Sequence, residues 1–239
     1  MHGLDIRPVG DAAVVATLGE TIDLALVRRC HALAAAVQEA LGVAALDVVV
    51  AYASVLVRFD PIETELAEVL AAVRGAAEQC GGTAAGGPGT GVRRSRHAWK
   101  AWKVGVCFGE THGPDLIAAA SNAAMSEEQY VQTFCSAEYT VAFLGYVAGF
   151  PYLVGLPEQL AQPRLPSPRA LVPAGSVGLA DRQCGIYPRA SPGGWRLLGH
   201  TAAPLFDVRR DPPALFASGD TIRFEPVRTI DCATAEVVG

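Results

Sequence analysis

Positive charge is scarce in this sequence. Lys and Arg together number 19 against 24 Asp and Glu, for a net charge of −5. A nucleic-acid surface needs concentrated cations to neutralise phosphates, so that class is excluded. The one basic run, Arg93-Arg94-Ser95-Arg96-His97, follows a Gly-rich stretch and reads as a solvated linker. No apolar run is long enough to cross a bilayer, and no membrane role is expected. The N-terminal MHGLDIRPVGD carries Asp5 and Asp11 and has no apolar core of a signal peptide, so a cytoplasmic location is expected. The six cysteines (Cys30, Cys80, Cys107, Cys135, Cys184, Cys232) form no C-x-x-C pair and no zinc spacing with His. Free thiols and no metal site are expected. No G-x-S-x-G elbow and no phosphate loop occur. A Ser-His-Asp set can be assembled only on paper, from Ser176, His200 and Asp220.

What is present is a globular composition, 51% hydrophobic and 18% charged, over 239 residues. That length allows one large domain or two modest ones. Ile6 to Thr17 reads as two short strands broken at Gly10. Asp23 opens an amphipathic helix whose stripe is Leu24, Val27, His31, Ala34, Val37 and Leu41, with His31 as a packed side chain. Leu46–Ala51 and Ser54–Phe59 are β-branched strand runs. Asp60-Pro61-Ile62-Glu63 reads as a helix start, with Ile62, Leu66, Val69, Leu70 and Val73 as the buried face. Residues 1–80 are therefore expected to form a small α+β domain, with a scaffold or interaction role. CGGTAAGGPGTG, from Cys80, opens a flexible linker over 81–97. Residues 98–239 hold many short strands with Gly/Pro turns and two short helices, one opened by a Ser126–Gln129 capping box. A closed β-barrel with small helices at its ends is expected.

Leu171 to Trp195, LVPAGSVGLADRQCGIYPRASPGGW, is too rich in Gly and Pro for a helix and suits a pocket wall of strands and tight turns. Arg164 and Arg169 flank a Pro-rich turn and can hold a carboxylate. Gln183 can pair with an amide, and Tyr187 can donate to a developing oxyanion or relay a proton. Backbone N–H groups around Gly175 and Ser176 can form an anion-binding nest. Surface arginines and a core tyrosine are the plainer alternative.

The chain resembles the family of the B-type 5-oxoprolinase subunit, allophanate hydrolase subunit 1 and the kinase inhibitor KipI. The resemblance lies in DIRPVGDAAVV, AYASVLVRFDP, FLGYVAGFPYLVGL (from Phe143), VPAGSVG (from Val172), GIYPRASPGGW (from Gly185) and SGDTIRF. It implies an α+β N-terminal domain followed by a cyclophilin-like closed β-barrel domain. It implies a hydrolase component acting on C–N bonds of a lactam or ureido amide, beside a C-type homologue with a related barrel. No cofactor is expected on this chain, and ATP is expected to enter through the partner. Arg169, Gln183 and Tyr187 are then the expected catalytic residues. Phe134, His112, Phe150, Ser176, Arg182 and Trp195 are the expected substrate contacts. Two positions depart from the family pattern: Phe134 replaces a His, and Thr111, beside His112, replaces a Glu. The departures leave open a stand-alone cyclase or lyase of specialised metabolism on the same barrel, or a KipI-type kinase inhibitor.

Overall fold

The computed structural model describes residues 4–81 and 99–238. The chain divides into two compact units, Met1–Ala98 and Trp99–Gly239. The expected linker, from residue 82, and the basic run at 93–97 lie outside the described residues.

The first unit runs β1 (Asp5–Pro8), β2 (Ala13–Thr17), α1 (Leu24–Leu41), β3 (Ala45–Val50), β4 (Ser54–Phe59) and α2 (Leu66–Gly81). Its sheet has the order β1-β2-β4-β3 and is antiparallel throughout. Asp23 caps α1, its Oδ1 accepting from the Leu26 N–H at 2.8 Å. The buried face of α1 is Leu26, Val27, Cys30, Leu33, Val37 and Leu41. It is turned from the expected stripe: Leu24, His31 and Ala34 are only half-buried. Gly19 leaves room for Leu26 at that face, since a Cβ there would sit 2.9 Å from a Leu26 methyl. The expected helix start at Asp60 is corrected as well. The Asp60 carboxylate accepts from the Ile62 N–H and its carbonyl from Glu63 and Thr64, closing a turn on itself. The helix begins at Leu66, and Ile62 is 89% exposed.

The second unit contains β5 (Ala101–Phe108), α3 (Leu116–Asn122), α4 (Glu127–Ser136), β6 (Tyr139–Leu144), β7 (Pro151–Val154), β8 (Arg169–Val172), β9 (Ser176–Ala180), β10 (Gln183–Ile186), β11 (Ser191–Gly193), β12 (Arg196–His200), β13 (Thr221–Pro226) and β14 (Ala235–Val238). Seven strands run β12-β9-β10-β7-β6-β13-β5, and pairing of β5 with β12 closes the barrel. Among the described strands only β5 and β13 pair in parallel. Closure removes the sheet edges that an open sheet would expose. β14 flanks β5, while β8 and β11 form a separate two-stranded ribbon.

The α4 capping box is complete, with Ser126 and Gln129 each bonding the other's backbone. It fixes the helix that delivers Tyr130 and Phe134 to the barrel core. The Tyr130 hydroxyl donates to the Leu160 carbonyl at 2.7 Å, and Tyr139 to the Phe134 carbonyl at 3.0 Å. Asp220 is fully buried, yet saturated. It accepts from the Lys100 N–H, the Trp102 Nε1–H and the Ala217 N–H at 2.9–3.0 Å.

Burial raises the acid groups of both cores. It pushes Cys30 up to about 11 and Cys135 up to about 12, from 9.0. Cys184, Tyr130 and Tyr139 are raised further by the same cause. The stability these neutral groups contribute is fully present below the unfolded thiol value of 9.0. It falls as pH rises, because the unfolded chain ionises before the folded one. Urea midpoints measured from about pH 7 to 11 are expected to hold to about pH 9 and then decline steadily.

Candidate active site

The inner face of the β8–β11 ribbon carries the polar groups. In its register Ser191 opposes Val172 and Gly193 opposes Arg169, with an irregularity between them. Opposed residues of an antiparallel pair share a face. Val172 belongs to a buried cluster with Phe150, Tyr187, Trp195 and Leu197, so this face looks into an aromatic cluster. Phe150 is the centre of that cluster. Its ring lies edge-to-face on Tyr187 at 5.2 Å, on Trp195 at 5.4 Å and on Tyr146 at 5.7 Å.

Tyr187 puts its hydroxyl where a side chain at position 193 would otherwise stand. A Cβ on Gly193 would lie 2.5 Å from that oxygen. Tyr187 is 2% exposed, and its backbone is clamped from both sides. Its N–H donates to the Ser176 carbonyl, and its carbonyl accepts from the Gly175 N–H at 2.6 Å. Burial pushes its phenol up to about 12, against the opposing effects of the Trp195 N–H and Arg164. The hydroxyl is therefore protonated at every physiological pH and acts as a donor, not as a base.

Arg169 is already engaged. Its Nη2 donates to Asp115 Oδ1 at 2.7 Å and its Nη1 to the Trp195 carbonyl at 3.3 Å. The other Asp115 oxygen accepts from the Leu197 N–H at 2.7 Å. Asp115 stands at the N-cap position of α3 but makes no cap bond with its side chain. It ties the start of that helix to β8 and β12 instead. Arg169 thus holds a carboxylate belonging to the chain itself, and its fork fixes Trp195 beside Tyr187. Arg164 differs. It is exposed, with no ion pair or hydrogen bond among the described residues, and its charge acts on both Tyr152 and Tyr187. Hydrogen bonds from Leu165 N–H to Gly194 and from Arg196 Nε to Pro163 tie its segment to Trp195.

The other sequence-derived residues are scattered. Gln183 is half-buried at the far end of β10, about 13 Å of extended chain from Tyr187. Arg182 is exposed at the β9–β10 turn and faces Glu158 at 3.5 Å. Ser176 is buried at the start of β9 and contributes its backbone to Tyr187. The expected nest at Gly175 and Ser176 does not form, because both N–H groups are bonded, to Tyr187 and Pro173. His112 lies 5.8 Å from His200, ring to ring. His200 Nε2 donates to the Ala174 carbonyl, and burial, with a smaller effect of His112, lowers its titration. Since Asp220 is held by three other donors, no Ser176-His200-Asp220 set is assembled.

Phe134, expected as a substrate contact, lies in the barrel core. It is fully buried, stacked on Phe224 at 5.0 Å and packed on Tyr139 and Phe108. An imidazole there would bring an unpaired polar ring into an aromatic core. Phe134→His is expected to destabilise the barrel by about 3 kcal/mol, read as a lowered urea midpoint.

Sequence pattern does not single out two residues of the site as contacts, Asp115 and Tyr146, whereas Ser191 stands in the Gly/Pro-rich stretch expected to wall a pocket. Asp115 shows only as a helix-start Asp, because its partner is 54 residues away. The Ser191 hydroxyl is buried with no partner among the described residues. Tyr146 has φ +60, a left-handed backbone that bulky residues rarely adopt. It sits in the segment Leu144–Gly149, which lines a hollow of about 300 Å³.

Residues 4–216 match the model of the carboxyltransferase domain, subdomain C and D. The chain belongs to this family. The B-type 5-oxoprolinase subunit of Escherichia coli O157:H7 is 51% identical over 130 residues, a match spanning 54% of this chain and 60% of that protein. The chain thus matches less than two thirds of that relative's length. The crystal structure of TTHA0988 superposes with a TM-score of 0.75 at 30% identity, covering 91% of this chain and 40% of that one. The Kluyveromyces lactis urea carboxylase shares the fold, with a TM-score of 0.71 at 20% identity over 98% of this chain and 24% of its own. Among the described residues no group of three or more His, Cys, Asp or Glu is placed to hold a metal, and no helix is long and apolar enough to cross a membrane.

Proposed function

We propose that this chain is the B-type component of a 5-oxoprolinase-like hydrolase, opening the C–N bond of a lactam or ureido amide with a partner chain that bears a related barrel. The observation that carries the reading is a tyrosine hydroxyl held protonated in a dry aromatic cluster, with an arginine at its rim that has no partner among the described residues. Arg164 takes the substrate carboxylate bidentately. Tyr187 donates to the oxyanion that develops on the amide oxygen, in a low-dielectric setting where such a bond is strongest. Phe150 and Trp195 wall the ring of the substrate. Arg169 is a positioning residue: through Trp195 it sets where the Tyr187 hydroxyl points. ATP enters through the partner, and this chain binds no cofactor of its own. The names of the relatives and the shared family support the reading.

The test is 5-oxoproline-dependent ATP hydrolysis in a reconstituted oxoprolinase in which this chain replaces the ordinary B-type component. Turnover is expected, with Arg164→Ala raising KM more than it lowers kcat. A folded, assembled chain that supports no turnover would overturn the assignment.

A further inference from the structure

We propose that Ser191 and Tyr187 together read the amide group of the substrate from one face of the β8–β11 ribbon, beneath a strap formed by Tyr146. The inference rests on the lactam or ureido reading above and adds the residues that recognise the amide.

Ser191 and Gly193 are two residues apart on β11, across the irregularity in its register with β8. The vacant side of Gly193 holds the Tyr187 hydroxyl. The Ser191 partner across the ribbon, Val172, is in the aromatic cluster. Both hydroxyls therefore face the same space. Ser191 is 6% exposed and its Oγ has no partner among the described residues. A buried hydroxyl without a partner is costly and uncommon, and it persists where something else uses it. A serine hydroxyl both donates and accepts, whereas protonated Tyr187 donates. The pair matches an uncharged amide: Tyr187 to the C=O, Ser191 accepting from the N–H. Neither group suits a second carboxylate, because neither carries positive charge.

Tyr146 covers this pair. Its hydroxyl donates to the carbonyl of Pro192, the residue between Ser191 and Gly193, at 2.6 Å. Its ring rests on Phe150, which touches Tyr187. It is 57% exposed where Phe150, Tyr187 and Ser191 are almost fully buried, so it forms the outer layer. The hydroxyl bond helps to hold a left-handed backbone that is unfavourable for a tyrosine. The bond to Pro192 and the ring contact with Phe150 together hold the strap over the ribbon, and the strap segment itself lines the hollow at Leu144–Gly149.

The test is NMR titration of the full chain with 5-oxoproline and with 2-pyrrolidinone, the same lactam ring without the carboxylate. Ser191→Ala is expected to weaken both ligands about tenfold, the effect of one hydrogen bond. Arg164→Ala is expected to weaken 5-oxoproline alone. Ser191→Ala is also expected to leave Tm unchanged or raise it, since no internal bond is lost. Tyr146→Phe is expected to speed dissociation of 5-oxoproline severalfold. Unchanged affinities in Ser191→Ala, with 5-oxoproline still bound by the parent chain, would overturn the amide subsite and leave the proposed function standing. A Ser191→Ala chain with a lowered Tm and unchanged affinities would make the hydroxyl purely structural. An unchanged dissociation rate in Tyr146→Phe would overturn the strap. Failure of the parent chain to bind either lactam would overturn the substrate reading and this subsite together.

Discussion

Asp220→Ala is expected to cost the barrel about 3–5 kcal/mol, the largest stability loss of any single polar substitution in the second unit. The carboxylate is fully buried and serves three donors from two stretches of chain: Lys100 and Trp102 at the start of β5, and Ala217. Its removal leaves the Trp102 indole N–H and two backbone N–H groups without acceptors. Trp102 packs edge-to-face on Phe216 at 5.3 Å, so a shifted indole disturbs the end of the barrel where β5 and β13 begin. Asp220→Asn keeps the acceptor oxygen but turns an N–H₂ toward donors, and is expected to lose somewhat less. Urea unfolding followed by far-UV circular dichroism checks both. A midpoint within error of the parent chain would show that the three bonds add nothing net.

The largest expected effect on turnover is that of Tyr187→Phe. Removing one preorganised oxyanion donor typically lowers kcat by about 10² to 10³. The ring is expected to stay in place, since Phe150 and Trp195 pack edge-to-face on it and a phenyl ring keeps those contacts. Arg169→Ala is expected to lower kcat through the same hydroxyl. It frees the Trp195 carbonyl and leaves Asp115 with only the Leu197 N–H. Arg169→Lys is expected to rescue little, because an ammonium cannot bridge Asp115 and Trp195 as the planar fork does. Arg169 and Tyr187 act as one unit. The double variant is therefore expected to be about as slow as Tyr187→Phe alone, since residues of one network are non-additive.

Local chemistry makes much of this fold legible. Strands β4 and β13 can be read locally, β4 as a run rich in β-branched residues and β13 as an alternation of apolar and polar residues, each with a turn signal beside it. The Ser126 capping box is equally local. The ribbon strands β8 and β11 escape such reading, being three or four residues long in a Pro- and Gly-rich stretch; they are held by their mutual pairing and by burial beside Phe150 and Trp195. Strand β7 opens on Pro151, which strand propensity disfavours, and holds through its pairing with β6 and β10. Asp60 mimics the start of α2 because a turn and a helix N-terminus use the same Asp-Pro chemistry.

The site divides the same way. Tyr187, Trp195 and Phe150 stand together, as their shared Gly/Pro-rich context suggests. Gln183 does not join them, since strand geometry places it at the other end of β10. The partners of Arg169 cannot be read from spacing: a guanidinium free for a ligand and one tied to Asp115 look alike in sequence. Only the fold shows that, of Arg164 and Arg169, it is Arg169 that is tied down.

The most direct measurement is the double-mutant cycle of Arg169→Ala and Tyr187→Phe, run as 5-oxoproline-dependent ATP hydrolysis in the reconstituted assembly. A large loss is expected for Tyr187→Phe, with little further loss when Arg169→Ala is added. Losses that multiply in the double variant would show that Arg169 acts on the substrate independently. That result would contradict the central claim that Arg169 works by positioning the Tyr187 hydroxyl.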